Sequence, residues 1–290
     1  MFVFKAAVVG AGVMGGEIAQ LIAAADIPVL LKDVDQNYVD AGLAKAREVT
    51  EKQVGKLVSK EKLTAEQGAE QVEATLARIT GTTAYDGFGD VDFAIEAVPE
   101  RIEVKHGVFS ELDAATPGHA ILASNTSGLS ITEIGDATNR PDKVVGFHFF
   151  WPASVMRLVE IVEGEETSQA TLQGAANFAQ AIRKTPVRCA ECPGFVVNRI
   201  LTSTASEIWR YQDETGASTE AVDAHVTEQA GMPMGVFQVA DMSGLDTVLK
   251  VARNMRDAYG DRFYVHKGME ERVERGDLGA KTERGFYEHR

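Results

Sequence analysis

Cysteine is nearly absent from this chain. It has two, Cys189 and Cys192, too few for a disulfide framework, so a reducing cytosol is the simplest setting. Positive charge is also scarce: 29 lysines and arginines face 43 acidic residues, a formal net charge of -14. Such a field repels phosphate backbones and excludes coating of nucleic acid. Any polyanionic ligand must be met by a local basic patch or by backbone amides. No window offers the roughly 18 uncharged apolar residues that a membrane span needs. The opening Met1–Gly16 stretch has no basic leader or cleavage site. Internal repeats and low-complexity tracts are missing too. What remains is ordinary for a globular protein: 290 residues, 44% apolar and 25% charged, enough for two domains or one large one with a sizeable core.

Residues Phe4–Val9 form an apolar run that stops at Gly10, Met14–Ala25 reads as a helix, and Pro28–Leu31 as a second buried strand. This is a parallel crossover unit. Asn37 to about Lys60 is a long polar helix and Thr64–Ala77 a second one, with Thr64 and Gln67 placed like a capping box. The two form an inserted helical hairpin. Strands are expected at Ile79–Thr83, Val91–Ile95, Ala120–Ala123, Val144–Phe149 and Leu158–Val162, with a helix near Val104–Leu112. The alternation predicts a doubly wound α/β domain. Beyond Pro193 the segments Val196–Tyr211, Thr219–Ala230 and Leu245–Ala258 read as helical. A boundary near Pro186 gives domains 1–186 and 187–290, the second smaller and all-α.

Gly10-Ala11-Gly12-Val13-Met14-Gly15 is a GxGxxG sequence, weak alone but directly after the first strand and opening a helix. Asp33 ends the next strand, 18 residues after the last glycine. Gly10 suits a tight turn, Gly12 lets backbone approach a pyrophosphate, and Gly15 lets helix and strand pack closely. The helix N-terminus offers N–H groups to phosphates. Asp33 suits the ribose hydroxyls of NAD and repels the extra phosphate of NADP, so NAD is the expected cofactor.

Of six histidines, only His148 lies inside an apolar strand-like run, with Gly146 leaving room beside the ring. Glu160 sits in another such run, where a carboxylate is costly unless paired. An imidazole beside it solves that problem and makes a base with its orienting group. A structural histidine and a solvated edge-strand glutamate are the bland alternative.

The fingerprint followed by Ile18-Ala19-Gln20, then Ile95-Glu96-Ala97-Val98, Ser124-Asn125-Thr126-Ser127, His148-Phe149-Phe150, Leu158-Val159-Glu160, Pro193–Arg199 and Gly285-Phe286-Tyr287 occur in this order. Along essentially its whole length the chain resembles the (S)-3-hydroxyacyl-CoA dehydrogenase family, including 3-hydroxybutyryl-CoA dehydrogenases. The resemblance implies a Rossmann-type NAD domain, a helical domain that dimerises, and an acyl-CoA substrate. It places the catalytic base on His148, its partner on Glu160, and substrate-oxygen contacts on Ser127 and Asn198. Family NAD contacts fall on Glu100, Lys105 and Lys281. Lys52, Lys56 and Lys60 recur every four residues along the hairpin, and the resemblance makes this stripe the dock for CoA phosphates, with Lys56 best aligned.

The sequence departs from the family at three places. Trp151 stands where asparagine is usual, Glu17 where a small residue is common, and Glu283 where glycine is common. Trp151 brings bulk and one N–H donor, and a carboxylate at Glu17 weakens phosphate attraction slightly. Cys189-Ala190-Glu191-Cys192 has CxxC spacing but no second ligand pair, so it reads as coincidence and no metal is expected. Trp209 and Tyr211 read as core or interface. The expected protein is thus a cytoplasmic NAD-dependent dehydrogenase of short to medium 3-hydroxyacyl-CoA. The competing readings are a relative acting on a free hydroxy acid or sugar acid, and an NAD-binding structural protein.

Overall fold

Strand β1, Ala6–Val9, is wholly buried, as its unbroken apolar run predicts for a strand covered on both faces. The computed structural model describes residues 2–289, and the chain divides into two compact units, Met1–Cys192 and Pro193–Arg290. In the first, β1 leads through α1 (Val13–Ala23) to β2 (Val29–Lys32). The hairpin follows as α2 (Gln36–Val58) and α3 (Ala65–Leu76), then β3 (Ile79–Thr82). The capping box is present: Thr64 accepts from the Gln67 N–H, and the Gln67 side chain accepts from the Thr64 N–H. Next come β4 (Phe93–Glu96), α4 (Ile102–Ala115), β5 (Ile121–Ser124), the short α5 (Ile131–Gly135) and β6 (Val144–Phe149). Then β7 (Leu158–Glu163), α6 (Gln169–Ala181) and β8 (Thr185–Ala190) close the unit.

The sheet order is β3-β2-β1-β4-β5-β6-β7-β8. All neighbours are parallel except β6 and β7. The order reverses between β1 and β4, the switch point where open α/β sheets hold ligands. Phe93, Phe147 and Phe178 anchor the core from β4, β6 and α6, the first and last rings stacked at 4.3 Å. Such a pair adds about 0.5–1.5 kcal/mol beyond its buried area.

Strand β8 and helices α5 and α6 go beyond the sequence reading, and β8 moves the division. Pro186 lies inside β8, paired in register with Val159, and the compact unit runs on to Cys192. An edge strand tolerates a proline because its outer side needs no N–H.

The second unit contains α7 (Val197–Thr215), α8 (Thr219–Gln229), α9 (Val236–Ser243), α10 (Leu245–Tyr259) and α11 (Lys267–Arg275). Its core gathers Trp209, Phe237, Leu245, Leu249 and Met269. Buried Asp241 accepts from the Phe286 and Tyr287 N–H groups and pairs with His289, tying down the C-terminal segment.

Candidate active site

The turn after β1 is built by two glycines. Gly10 has φ of +102°, and a Cβ there would stand 2.6 Å from the Ala97 carbonyl. At Gly15 a Cβ would collide with the Gly10 carbonyl oxygen, so only glycine lets α1 pack this close. Gly12 faces open space and caps α1 without a side-chain bond. The first amides of α1 therefore remain available to an anion. Ala11 donates its N–H to Asp33 Oδ2 at 2.7 Å, and Val34 donates to Oδ1. A cavity of about 700 Å³ opens here, lined by Gly10, Gly12, Val13, Met14, Asp33 and Val98 among others. Its size and position at the switch point fit a dinucleotide. The Lys32 ammonium lies over the Tyr85 ring, 4.3 Å from its centroid.

Beside it, a buried ionic network holds the loop after β5. Glu96, wholly buried at the end of β4, accepts from Lys105 Nζ at 2.7 Å, from the Val98 N–H and from Ser124 Oγ. Burial pushes its carboxyl up, with Lys105 as the main opposing influence. Lys105 also reaches Glu100 at 3.2 Å. Glu100 in turn accepts from Thr126 Oγ1 and from the Ser127 N–H. Lys105 is only 1% exposed, so its ammonium serves two carboxylates. Ser127 stands exposed at the end of this chain of contacts. Asn125 in the same loop accepts from the Phe149 N–H, linking it to β6. Glu96, Ser124, Asn125 and Thr126 escaped the sequence reading as site residues. The signal at Glu96 was the one used for Glu160, a carboxylate in an apolar strand.

His148 and Glu160 are direct cross-strand partners in the antiparallel β6–β7 pair. The ring Nδ1 lies 2.7 Å from Glu160 Oε2, with the carboxylate fully buried and the ring nearly so. A carboxylate held there fixes ring orientation and steadies an imidazolium when one forms. Phe150 flanks the imidazole, with centroids 4.6 Å apart. Gly146 plays a different part from the one expected: a Cβ there would strike Val162 and Ile131, so the glycine makes room for core packing.

Other positions fall as follows. Lys56 stands exposed on α2, with Lys52 and Lys60 exposed nearby. Glu17 is turned away from the turn after β1. It is buried, and its carboxylate accepts from the Ser154 N–H at 2.9 Å. Trp151 is 58% exposed. In the second unit, Asn198 is the second residue of α7, and Lys281 pairs with Asp246. Glu283 has a φ of +60°, a left-handed conformation that costs glycine least. Trp209 is core, whereas Tyr211 is exposed.

Residues 5–192 match the family model "3-hydroxyacyl-CoA dehydrogenase, NAD binding domain", and residues 194–289 match "3-hydroxyacyl-CoA dehydrogenase, C-terminal domain". The chain is 39% identical over 286 residues to 3-hydroxybutyryl-CoA dehydrogenase of Clostridioides difficile, covering 98% of this chain and 99% of that protein. It is 38% identical to the human mitochondrial hydroxyacyl-coenzyme A dehydrogenase, covering 98% of this chain and 90% of the other. Among solved structures, (S)-3-hydroxybutyryl-CoA dehydrogenase of Ralstonia eutropha superposes with a TM-score of 0.91 at 35% identity over the whole of both chains.

Proposed function

The chain belongs to the 3-hydroxyacyl-CoA dehydrogenase family, and we propose that it reversibly oxidises (S)-3-hydroxyacyl-CoA to 3-oxoacyl-CoA with His148 as the base. The observation that carries this reading is the buried His148–Glu160 pair, an imidazole braced by a carboxylate in strand register. The turn after β1, with Asp33, would hold NAD, which would supply the acceptor for the hydride leaving C3. His148 takes the proton of the 3-hydroxyl, and in the reverse direction it returns that proton. Glu160 stabilises the charged ring and holds it still. Ser127 and Asn198 are assigned to hydrogen bonds with the reacting oxygen or the thioester carbonyl, which restrict the substrate to reactive geometries. Asp33 and the open amides of α1 would hold the cofactor, and Lys281 is assigned to it as well. Glu100 and Lys105 contribute through the buried network that sets the Ser127 loop.

Short to medium acyl chains are the assigned substrates, in line with relatives named for 3-hydroxybutyryl-CoA, and butanoate metabolism is the corresponding setting. We assign the second unit to homodimer formation, supported by exposed Ile200, Leu201, Tyr211, Val239 and Met242. No helix among the described residues is long and apolar enough to cross a membrane, and a cytoplasmic location is the simplest reading. The test is acetoacetyl-CoA-dependent oxidation of NADH, followed by the loss of NADH absorbance. Turnover is expected with the CoA thioester and not with free acetoacetate. Failure to oxidise NADH with any 3-oxoacyl-CoA would defeat the proposal.

A further inference from the structure

In an acidic chain, cations without acidic partners are conspicuous, and two of them, Arg157 and Arg183, line one small cavity beside Lys184. The connection between β6 and β7 is clamped from both sides. Ser154 donates its N–H to Glu17, and Lys184 Nζ donates to the Ala153 and Met156 carbonyls. Gln53 of α2 reaches the Ser154 carbonyl at 3.4 Å. Against this clamp lies a cavity of about 210 Å³ whose polar lining is Gln53, Ser154, Arg157, Arg183 and Lys184.

Arg157 and Arg183 are exposed. Their backbones bond to Thr185 and Gln180, but among the described residues neither guanidinium has a hydrogen-bond or ion-pair partner. The carboxylate that acts on Lys184 is Glu17, already engaged with Ser154. Lys184 gives two of its three N–H donors to carbonyls and retains a third. Arg183 takes up a left-handed conformation, φ +62°, which a non-glycine residue enters at a cost. Gathering three positive groups against the single carboxylate of Glu17 leaves an excess of positive charge that an added anion would relieve. Guanidinium forks match the paired oxygens of phosphate groups. The volume is below the roughly 300 Å³ at which whole-ligand pockets begin, so it suits one group of a longer molecule.

The surroundings show which molecule. The connection bearing the cavity leaves β6 directly after the catalytic strand, while Gln53 brings in α2. Three residues beyond Gln53 on the same side of that helix is Lys56, whereas Lys60 lies past the end of α2, in the turn that follows. In an acyl-CoA the thioester is followed by pantetheine, then the pyrophosphate, then adenosine 3′-phosphate. His148, the arginine cavity and Lys56 offer groups that suit the reacting end, the pyrophosphate and the adenosine 3′-phosphate respectively. Resting on the dehydrogenase reading above, we propose that Arg157, Arg183 and Lys184 form the site for the pyrophosphate of acyl-CoA. The lysine stripe then meets the adenosine end.

Binding to the full-length protein by calorimetry tests this without turnover. The probes are CoA, dephospho-CoA, which lacks the 3′-phosphate, and pantetheine, which lacks all phosphates. Arg157→Gln/Arg183→Gly is expected to weaken CoA and dephospho-CoA alike by about a hundredfold, the loss of two charge-assisted contacts at about tenfold each. Pantetheine and NADH should bind as before. Equal weakening of pantetheine would show that the arginines only shape the connection. Weakening of CoA alone would move the site to the 3′-phosphate, and unchanged CoA binding would also overturn the proposal. The single variants, Arg157→Gln and Arg183→Gly, repeat the comparison should the double variant lose NADH binding. A wild type that binds CoA through these arginines but never oxidises NADH would refute the dehydrogenase reading and leave the phosphate site standing.

Discussion

Replacing Lys105 by methionine probes the network that fixes the Ser127 loop. The ammonium lies 2.7 Å from Glu96 and 3.2 Å from Glu100, and Glu96 is wholly buried. Removing one partner of a buried pair leaves an uncompensated charge and costs about 3–5 kcal/mol. Glu100 is 36% exposed, so solvent screens its share and most of the loss traces to Glu96. Against a total stability of about 5–15 kcal/mol this is large.

The pH dependence has a definite sign. Burial raises the Glu96 carboxyl, and Lys105 is the strongest influence pulling it back. Without Lys105 it rises further. A carboxyl whose folded pKa exceeds its unfolded one binds more protons in the fold, so its burial cost grows as pH rises and fades in acid. The deficit of Lys105→Met should therefore be greatest near neutrality and above, narrowing as the pH falls into the acid range. Amide hydrogen exchange in peptides covering β4 and β5 reads this in the first unit alone. The double variant Glu96→Gln/Lys105→Met should recover much of the lost protection because no buried charge is stranded. Wild-type protection in Lys105→Met, or a deficit that widens in acid, would refute the reasoning.

Four further outcomes follow from the same geometry. His148→Gln should cut kcat by about a thousandfold, within the usual contribution of general acid–base catalysis, while NADH affinity by fluorescence titration stays near wild type. Asp33→Ser removes the carboxylate that accepts from Ala11 and should shift the ratio of kcat/KM for NAD over NADP towards NADP by about tenfold, a loss of roughly 1.4 kcal/mol in discrimination. Burial lowers the Lys184 pKa to about 8, with Glu17 opposing; as it loses its charge above that pH, the acyl-CoA KM should climb while Arg157 and Arg183 stay charged, and a KM flat through this range would count against it. Asp241→Asn should loosen the C-terminal segment that it holds through Phe286, Tyr287 and His289, by about 1.5–3 kcal/mol for a hydrogen bond to a charged group, seen as faster proteolysis after α11.

The parts legible in the sequence were those coded locally. Strands buried on both faces, such as β1 and β5, announce themselves as apolar runs. The Thr64–Gln67 box marks a helix start by itself. Helix α6 was illegible because its buried stripe is largely alanine and glycine, with only Leu172 and Phe178 to show it. Strand β8 was hidden because an edge strand carries polar residues and can carry Pro186. Glu17 was misread because its partner, Ser154, lies 137 positions away.

The central pair, by contrast, is fixed by connection length and side-chain cost together. Strand β6 ends at Phe149 and β7 starts at Leu158, leaving eight residues between them. A parallel return needs a crossover of about a dozen residues or more. The connection is therefore too short for anything but an antiparallel neighbour, in a sheet whose other pairs are parallel. Once the direction is set, a shift of one residue would turn Glu160 to the opposite face from His148. Two costly side chains in adjacent apolar strands have one arrangement that relieves both, and pairing them selects the observed register, His148 opposite Glu160. The reversal of β7 is thus what turns an isolated imidazole into a braced base.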